Sequence, residues 1–425
     1  MIQIIEGKFA ASLMPDRQEE NARVTDAVAA IIRDVRANGD EALYRLSEKF
    51  DGARPASIEV PQAEIDAATE TVGPKFIKIL NEAAENIRAF HKRQIREGFV
   101  IADKPGVILG QRVIPLSRAG VYIPGGTAAY PSTVLMDVIP AVLAGVSEVV
   151  MTTPPSRGGT VAPEILAAAK VAGASRVLRV GGAQAVAALA YGTKTVPRVD
   201  KIVGPGNVYV AEAKRQVFGQ VGIDIIAGPS EILIIADQNA NPAFVAADML
   251  SQAEHDKNAA SVLVTDSRTL ANAVAGEIEA QIPLLSRKEI ARVSIDQNGR
   301  IFVVNDLAEA AETSNEIAPE HLELCVDDPF ALLPRVKNAA SVFLGRYCPE
   351  ALGDYFAGPN HTLPTVATAR FASPLGVEDF VKRAQFTYYT KDALAAVADQ
   401  VATFAAREGL TAHARSVTIR TEEQP

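Results

Sequence analysis

The sequence predicts an α/β protein with two Rossmann-like parallel-sheet domains, which lack a G-x-G-x-x-G fingerprint and carry small helical extensions at both ends of the chain. Two observations lead to this fold class. Short apolar runs alternate with helical stretches over residues 119–217, and the alternation resumes over residues 232–344. Strand-turn-helix units repeated in this way form parallel sheets with right-handed crossovers.

Composition narrows the class of protein. The chain has 425 residues, a formal net charge of −9, 48% hydrophobic residues and 22% charged residues. These values are typical of a soluble globular protein with two or three domains, and they argue against nucleic acid or an anionic membrane as a partner. The two cysteines, Cys325 and Cys348, are too few for a disulfide framework or a thiolate metal cluster. With no signal-peptide core after Met1, we predict a cytoplasmic protein.

The first alternation suggests a cofactor site. Three of its four strand ends lead into turns with paired or nearly paired glycines, at 124–126, 181–184 and 204–207. Open α/β sheets bind ligands at this edge, where helix N-termini also face phosphates. Such glycines often serve the turn alone, and the standard phosphate-binding fingerprints do not occur. Two interpretations of residues 119–217 are therefore equally supported. The glycine turns bind a nucleotide-like cofactor, or their glycines serve only the turn itself.

The other segments complete the predicted organisation. We expect helices before residue 95 and a second set of strands and helices after residue 231, followed by helices at 380–384 and 392–408 and a short strand at 416–420. The predicted domains are an N-terminal extension at 1–20, a discontinuous α/β domain at 21–118 and 231–375, a second α/β domain with the glycine turns at 119–230, and a C-terminal helical tail at 376–425.

One histidine motif stands out on a predicted helix. Asn241-Pro242 begins a helix that reaches Ser251-Gln252-Ala253-Glu254-His255-Asp256. Gln252 and His255 are three positions apart and share a face, so an amide oxygen and an imidazole could begin a metal site. Two ligands do not complete one, and a polar helix end with a solvated histidine explains the motif alone. We also expect a solvated or capping role for His91.

The other three histidines lie near acidic residues. Glu320 precedes His321, Asp354 precedes His361 by seven positions, and Glu408 precedes His413 by five. Chance spacing can produce such pairs. The pattern nevertheless makes metal binding or acid–base catalysis a hypothesis for this chain.

Longer motifs carry a resemblance to a known family. The chain resembles histidinol dehydrogenase from about residue 20 to about residue 420, in order and without large gaps. The matching motifs are S-Q-A-E-H-D at 251–256, N-E-I-A-P-E-H-L-E-L at 315–324, G-D-Y-x-A-G-P-N-H-T-L-P-T at 353–365, E-G-L-T-A-H-A at 408–414 and the glycine turns V-Y-I-P-G-G at 121–126, V-G-G-A-Q at 180–184 and G-P-G-N at 204–207.

The resemblance implies the oxidation of L-histidinol to L-histidine through the aldehyde, with two NAD⁺. It also implies one zinc ion per subunit, held by residues that match Gln252, His255, Asp354 and His413. Nitrogen and oxygen donors without thiolates favour a zinc site that is open to substrate. The zinc would hold the imidazole and amino nitrogens of the substrate.

The resemblance further assigns roles to other residues. His321 would accept the alcohol proton and Glu320 would activate water to attack the aldehyde. The substrate contacts would be the four zinc ligands, His321, Ser230, His361 and Glu408. The NAD⁺ contacts would be Tyr122, Gln184 and Asn207.

Two further expectations come from the resemblance. One is a homodimer in which the C-terminal tail, including His413, crosses to the partner's zinc site. The other concerns a departure from the family pattern, because Val366-Ala367 stands where many relatives have a glycine pair. This change removes no proposed ligand.

Two alternatives remain at this stage. A related zinc- and NAD-dependent dehydrogenase could act on another polar alcohol, such as a sulfonated diol. A non-enzymatic metal-binding or scaffold protein with an α/β fold is the other alternative, although a scaffold has no need of Glu320-His321 beside four separated ligands.

Overall fold

A computed structural model describes residues 2–7, 18–125, 129–226 and 228–422 of the chain. The chain divides into two compact units, which we describe separately. Unit 1 comprises Met1–Gln94 and Leu116–Phe380, and unit 2 comprises Ile95–Pro115 and Val381–Pro425. Gly126 in the first glycine turn and Ala227 lie outside the described residues, as do most of the predicted N-terminal extension and the last three residues.

The described strands are numbered in chain order. They are β1 (Gln3–Glu6), β2 (Phe99–Ile101), β3 (Val107–Pro115), β4 (Arg118–Tyr122), β5 (Glu148–Thr153), β6 (Arg176–Arg179), β7 (Lys201–Val203), β8 (Gly222–Ile223), β9 (Glu231–Ala236), β10 (Ala260–Thr265), β11 (Arg300–Val303), β12 (His321–Cys325), β13 (Ser341–Leu344) and β14 (Val381–Tyr389).

The described helices follow the same rule. They are α1 (Gln18–Asp51), α2 (Gln62–Thr71), α3 (Gly73–His91), α4 (Pro131–Leu143), α5 (Pro163–Ala172), α6 (Gly182–Tyr191), α7 (Val208–Val217), α8 (Pro242–Ala253), α9 (Arg268–Gln281), α10 (Lys288–Asn298), α11 (Leu307–Ile317), α12 (Pro329–Leu332), α13 (Glu350–Leu352), α14 (Lys391–Ala395), α15 (Ala398–Arg407) and α16 (Thr411–Thr418).

Unit 1 contains a five-stranded sheet in the order β6-β5-β4-β7-β8, and all its strand pairs are parallel. Numbered along the chain, this order is 3-2-1-4-5, the Rossmann arrangement. Helices cover both faces of the sheet. One apolar core joins β4 to α4 and α5, and the other joins β4 and β5 to α1 and α6.

A six-stranded parallel sheet in the order β1-β11-β10-β9-β12-β13 forms the rest of the unit's framework. Without the edge strand β1, it repeats the 3-2-1-4-5 order, and two apolar cores pack on its faces. The predicted fold class of two Rossmann-like parallel sheets is therefore confirmed. The N-terminal residues contribute a strand that the sequence analysis did not foresee.

The N-terminal helices pack against the helices of the five-stranded sheet. Helix α1 contacts α6 and α7, α2 contacts α5, and α3 contacts α4. Gly39 interrupts α1 with a φ of 53°, which divides it into two helical stretches. The domain boundaries given by the sequence remain a prediction.

Unit 2 contains a three-stranded antiparallel sheet in the order β14-β3-β2, followed by α14, α15 and α16. Two sequence predictions are wrong here. Residues 380–384 lie mainly in β14 and not in a helix, because pairing with β3 along nine residues outweighs local helix propensity. Residues 416–420 lie largely in α16, because an alternation over five residues is too short to identify a strand. No helix in the described ranges has the length and apolar character needed to span a membrane.

Candidate active site

The acid–base pair lies at the amino ends of β9 and β12. His321 begins β12, and its Nδ1 lies 3.0 Å from the carbonyl oxygen of Glu231, the first residue of β9. A carbonyl oxygen accepts a hydrogen bond, so Nδ1 carries a proton and Nε2 is the atom available for proton exchange. Nε2 is buried and has no hydrogen-bond partner within the described structure.

Two carboxylates face this free nitrogen. Nε2 of His321 lies 3.7 Å from Oδ1 of Asp354 and 3.8 Å from Oε1 of Glu350. Burial lowers the pKa of His321, but the negative charges of Glu320, Asp354 and Glu350 outweigh it and raise the pKa to about 10. The neighbouring carboxylates thus make the ring strongly basic.

Glu320 is the second group of the pair. It is 6% exposed, and its Oε2 accepts a hydrogen bond of 2.8 Å from the backbone N–H of Glu231. Burial raises the pKa of Glu320 to about 8, with the charges of Glu231 and Asp354 adding to the shift and that of His321 opposing it. A carboxyl group with such a pKa can both take and release a proton near neutral pH.

Asp354 and His361 lie on one loop. Nδ1 of His361 is 3.1 Å from the carbonyl oxygen of Asp354 and 3.6 Å from its Oδ1. Burial raises the pKa of Asp354, but the nearby imidazoles of His321 and His361 outweigh it and hold the pKa well below its usual range. Burial lowers the pKa of His361. Asp354 is thus an anion and His361 tends to be neutral.

Helices of the five-stranded sheet support this loop. Asp354 lies in a π-helical turn, Gly353–Ala357, and Nδ2 of Asn86 in α3 donates a hydrogen bond of 2.8 Å to the carbonyl oxygen of Phe356. On the other side of His361, Nδ2 of Asn360 donates to the carbonyl oxygen of Met136 in α4 at 2.6 Å. The loop is therefore anchored at both ends to the opposite half of unit 1.

The end of α8 brings in the amide and imidazole pair. Asn241 caps this helix through a hydrogen bond of 2.9 Å from the N–H of Ala243, in agreement with the sequence analysis. Gln252 is fully buried, and neither polar atom of its side chain has a hydrogen-bond partner in the described structure. Burial lowers the pKa of His255. The charge of Asp354 opposes this shift, and that of His321 adds to it. An unpaired buried amide is costly unless something binds it.

The sequence analysis missed Glu350. This residue is 2% exposed, and its Oε2 lies 3.3 Å from Oγ of Ser251 at the end of α8. Burial and the charge of Asp354 raise the pKa of Glu350 to about 8. The ligand atoms of His321, Glu350 and Asp354 lie within 4.8 Å of one another, a spacing that a metal ion could bridge. Glu350 and Asp354 are one helical turn apart in the sequence, and this spacing could have indicated that Glu350 belongs to the site.

Comparison with known proteins identifies the family. The family model for histidinol dehydrogenase matches residues 14–421. The chain is 51% identical to a histidinol dehydrogenase of Listeria innocua over 427 residues, covering 100% of both proteins, and 52% identical to one of Geobacter sulfurreducens over 98% of this chain and 97% of that protein. A histidinol dehydrogenase structure from Elizabethkingia anophelis has a TM-score of 0.92 and 36% identity, covering 99% of this chain and 98% of that one.

The chain belongs to the histidinol dehydrogenase family. It is therefore an oxidoreductase of histidine biosynthesis, with histidinol as the substrate that the family implies. A dehydrogenase is consistent with NAD as cofactor, and the acidic and imidazole cluster is consistent with a metal. The scaffold alternative fails because the family is enzymatic, and the sulfonated-diol alternative is not favoured by any of these matches.

The residues that this family resemblance assigned to NAD⁺ lie at the carboxyl edge of the five-stranded sheet. Tyr122 ends β4, and its hydroxyl accepts a hydrogen bond of 3.0 Å from the N–H of Gly182. Gln184 lies in the first turn of α6, is 1% exposed, and its Nε2 has no partner within the described residues. Asn207 caps α7 by accepting hydrogen bonds from the N–H groups of Tyr209 and Val210.

The other residues that the resemblance assigned to substrate or metal binding lie in different parts of the chain. Ser230 directly precedes β9, beside Glu231, and its carbonyl oxygen accepts a hydrogen bond of 3.0 Å from the N–H of Ala260. Glu408 and His413 are exposed residues of unit 2, at the end of α15 and in α16. Asp354 thus lies with His321 in unit 1, where its charge also acts on the pKa of His255, while His413 belongs to the other unit.

His91 is buried, contrary to the solvated or capping role expected from the sequence. It is 0% exposed, its Nδ1 lies 2.9 Å from the carbonyl oxygen of Ile87, and its Nε2 lies 3.4 Å from Nδ2 of Asn360. Burial lowers its pKa, so the ring is a neutral core group and not the solvated one predicted. The position of His91 late in an amphipathic helix was compatible with either face.

Proposed function

We propose that this protein oxidises L-histidinol to L-histidine in two steps through L-histidinaldehyde, with a zinc ion in the site and two NAD⁺ per turnover. The observation that carries the proposal is the meeting of Glu320, His321 and Asp354 with the end of α8. Each NAD⁺ takes one hydride, and water supplies the second oxygen of the carboxylate product. The cytoplasmic location expected from the sequence belongs to the same proposal.

The donor set of the site fits a zinc ion. Gln252 offers an amide oxygen that has no other partner, His255 offers an imidazole that burial keeps neutral, and Asp354 offers an anionic oxygen. His413 would supply the fourth ligand. Nitrogen and oxygen ligands of this kind are typical of catalytic zinc sites. When bound, zinc would hold the amino and imidazole nitrogens of the substrate.

The acid–base pair accounts for the proton steps. Nε2 of His321 is the free ring atom, so it would accept the hydroxyl proton of histidinol as hydride leaves for NAD⁺. Glu320 would then remove a proton from the water that attacks the aldehyde. His321 would assist again in the second hydride transfer. The raised pKa of Glu320, about 8, suits a base that must ionise at neutral to mildly alkaline pH.

Further contacts would orient the two ligands. The substrate contacts proposed outside the acid–base pair and the zinc ligands are Ser230, His361 and Glu408. Tyr122, Gln184 and Asn207 would contact NAD⁺ at the carboxyl edge of the five-stranded sheet, where helix N-termini face the ligand. The unpartnered Nε2 of Gln184 supports this assignment.

We also propose a homodimer in which unit 2 crosses to the partner. Large apolar side chains of this unit are exposed, which include Phe404 at 69%, Tyr388 at 55%, Ile419 at 48% and Leu410 at 42%. An apolar surface of this kind is typical of an interface. The crossing would deliver Glu408 and His413 to the partner's site, as an exchanged element does in a two-fold dimer.

Product stoichiometry tests the proposed reaction. Purified protein is incubated with histidinol and excess NAD⁺, and NADH absorbance is compared with histidine measured by chromatography. The proposal requires two NADH per histidine. One NADH per molecule of accumulating aldehyde, or no NADH at all, would exclude the four-electron reaction.

A further inference from the structure

The five-stranded sheet has no carboxylate after its second strand, where a dinucleotide-binding sheet usually carries one. In sheets with the 3-2-1-4-5 order, a carboxylate after the second strand usually binds the ribose of the dinucleotide. The second strand here is β5, which ends in Thr152-Thr153 and is followed by Pro154-Pro155, and this stretch contains no acidic residue. If NAD⁺ binds at this edge, another part of the chain must supply an acceptor for the ribose hydroxyls.

Unpartnered buried atoms surround Tyr122 at this edge. Thr152 pairs with Tyr122 in the parallel register of β4 and β5, so the two side chains share a face of the sheet. Thr152 and Gln184 are each 1% exposed, and Oγ1 of the first and Nε2 of the second lack hydrogen-bond partners in the described structure. Gly182, whose N–H binds the Tyr122 hydroxyl, directly adjoins the Gln184 side chain.

The last residue of α1 approaches the same place. Helix α1 packs on the α6 face of the sheet, the face that carries Tyr122. Asp51 ends this helix. Burial raises the pKa of Tyr122 to about 12, and the charge of Asp51 adds to the shift. Oδ2 of Asp51 is buried without a hydrogen-bond partner in the described residues.

Burial makes this carboxylate a group in need of a partner. It raises the pKa of Asp51 to about 6, although the Ser47 hydroxyl one turn earlier opposes the shift. An anionic oxygen shielded from water is stabilised when a hydroxyl donates to it. Three unpartnered polar atoms from α1, β5 and α6 around one tyrosine indicate a polar ligand and not a packing defect.

We propose that Asp51 accepts hydrogen bonds from the adenosine ribose hydroxyls of NAD⁺, with Thr152 and Gln184 as neighbouring polar contacts. The N-terminal helix thus supplies the carboxylate that the second strand lacks. A 2′-phosphate would meet the negative charge of Asp51, so the same residue disfavours NADP⁺. This inference rests on the proposed use of NAD⁺ and names a binding residue that the family resemblance did not assign.

The test compares the wild type with Asp51→Asn and a control, Glu48→Gln. Glu48 lies on the same helix with a side chain that is 65% exposed. The dissociation constant of NADH is measured by its fluorescence, without histidinol. A hydrogen bond to a charged group is worth about 1.5–3 kcal/mol, so Asp51→Asn should weaken NADH binding at least tenfold and Glu48→Gln should not change it. The preference of the wild type for NADH over NADPH should also fall in Asp51→Asn.

A ligand lacking the adenosine 2′-hydroxyl locates the contact. Wild type should bind 2′-deoxyadenosine NADH about as weakly as Asp51→Asn binds NADH, and Asp51→Asn should lose little more with the deoxy ligand. Independent, additive losses would overturn the assignment of Asp51 to this ribose. A wild type that does not bind NADH would instead refute the proposed cofactor, so the two failures are distinct.

A second variant guards against misfolding of Asp51→Asn. Thr152→Val keeps the side-chain shape and removes a buried hydroxyl that has no partner, so the melting temperature without ligand should stay the same or rise. NADH affinity should fall several-fold. Unchanged NADH affinity in Thr152→Val, together with unchanged affinity in Asp51→Asn, would overturn the inference.

Discussion

Nδ1 of His321 lies 3.7 Å from Oε2 of Glu320, although the two residues are neighbours in the chain. Successive side chains of a strand point to opposite faces, so two neighbours within β12 could not meet in this way. They meet because Glu320 precedes the first residue of the strand, where the chain leaves α11 through Ala318, with a φ of 53°, and Pro319. The start of the strand therefore creates the acid–base pair.

The first prediction concerns the metal and uses Gln252. Replacing this fully buried glutamine with leucine should abolish stoichiometric zinc binding, because a proposed ligand is lost. The metal-free protein should be as stable as the wild type without metal, or more stable, since a buried amide with no partner is removed. Metal analysis and urea unfolding in chelator measure the two effects. Full zinc content in Gln252→Leu would show that this ligand assignment is wrong.

The second prediction separates the two oxidation steps. Glu320→Gln should lose about 10²–10⁴-fold in the oxidation of supplied histidinaldehyde and much less in the oxidation of histidinol, because general bases contribute on this order. In the wild type the aldehyde step should speed up as the pH rises toward 8, where Glu320 loses its proton. Equal losses in both steps would refute the proposed division of labour between Glu320 and His321.

The third prediction tests whether unit 2 crosses between subunits. His255→Ala and His413→Ala, each inactive alone, are unfolded together and refolded as mixed dimers. In the crossed arrangement one site of each mixed dimer carries both defects and the other carries none. Random pairing should then restore on the order of a quarter of the sites. A mixture that stays inactive although mixed dimers are present would refute the crossing.

The fourth prediction concerns the departure at residues 366–367. Val366 and Ala367 both adopt left-handed backbone, with φ of 53° and 59°, a conformation that glycine adopts without strain. Ala367→Gly should therefore raise the free energy of unfolding by about 0.5–1 kcal/mol, the difference between relieved strain and added chain entropy. Ala372→Gly is the control in the same loop and should be destabilising. A loss of stability in Ala367→Gly would show that the left-handed backbone carries no strain.

The fifth prediction follows from Asp137, which is fully buried in α4. Burial raises its pKa to about 8, the charge of Asp224 adds to the shift, and the Thr362 hydroxyl and Lys214 oppose it. The folded state therefore binds the proton more tightly than the unfolded state. The stability due to this proton is complete below about pH 4 and is lost as the pH rises toward 8.

Asp137→Asn does not titrate, so its free energy of unfolding should fall less than that of the wild type between pH 5 and pH 8. The two free energies of unfolding should diverge by about 1.4 kcal/mol for each pH unit over which the folded protein keeps the Asp137 proton and the unfolded chain does not. Urea unfolding at several pH values measures it at constant protein concentration. Asp34→Asn is the control, because ion pairing with Arg45 lowers the pKa of Asp34 and moves its titration below the window. Parallel pH profiles for Asp137→Asn and the wild type would refute the buried-proton account.

The family and the fold class could be read from the sequence because they rest on local signals. Apolar runs and turn residues predict the alternation of strands and helices, and long motifs such as N-E-I-A-P-E-H-L-E-L identify the family. Such signals say little where pairing partners are distant. The strand at Val381–Tyr389 forms because β3, more than 250 residues earlier, supplies its hydrogen bonds.

Tertiary structure alone decided the chemistry of the site. The sequence places Glu320 and Asp354 near histidines, but it does not bring Glu350 to the site or show which carboxyl group is protonated. Burial raises the pKa of Glu350 and Glu320 to about 8, while the adjacent imidazoles of His321 and His361 lower that of Asp354. The sequence determined which groups are present. Folding determined their charge, because desolvation and the distances between charges exist only once distant segments have packed together.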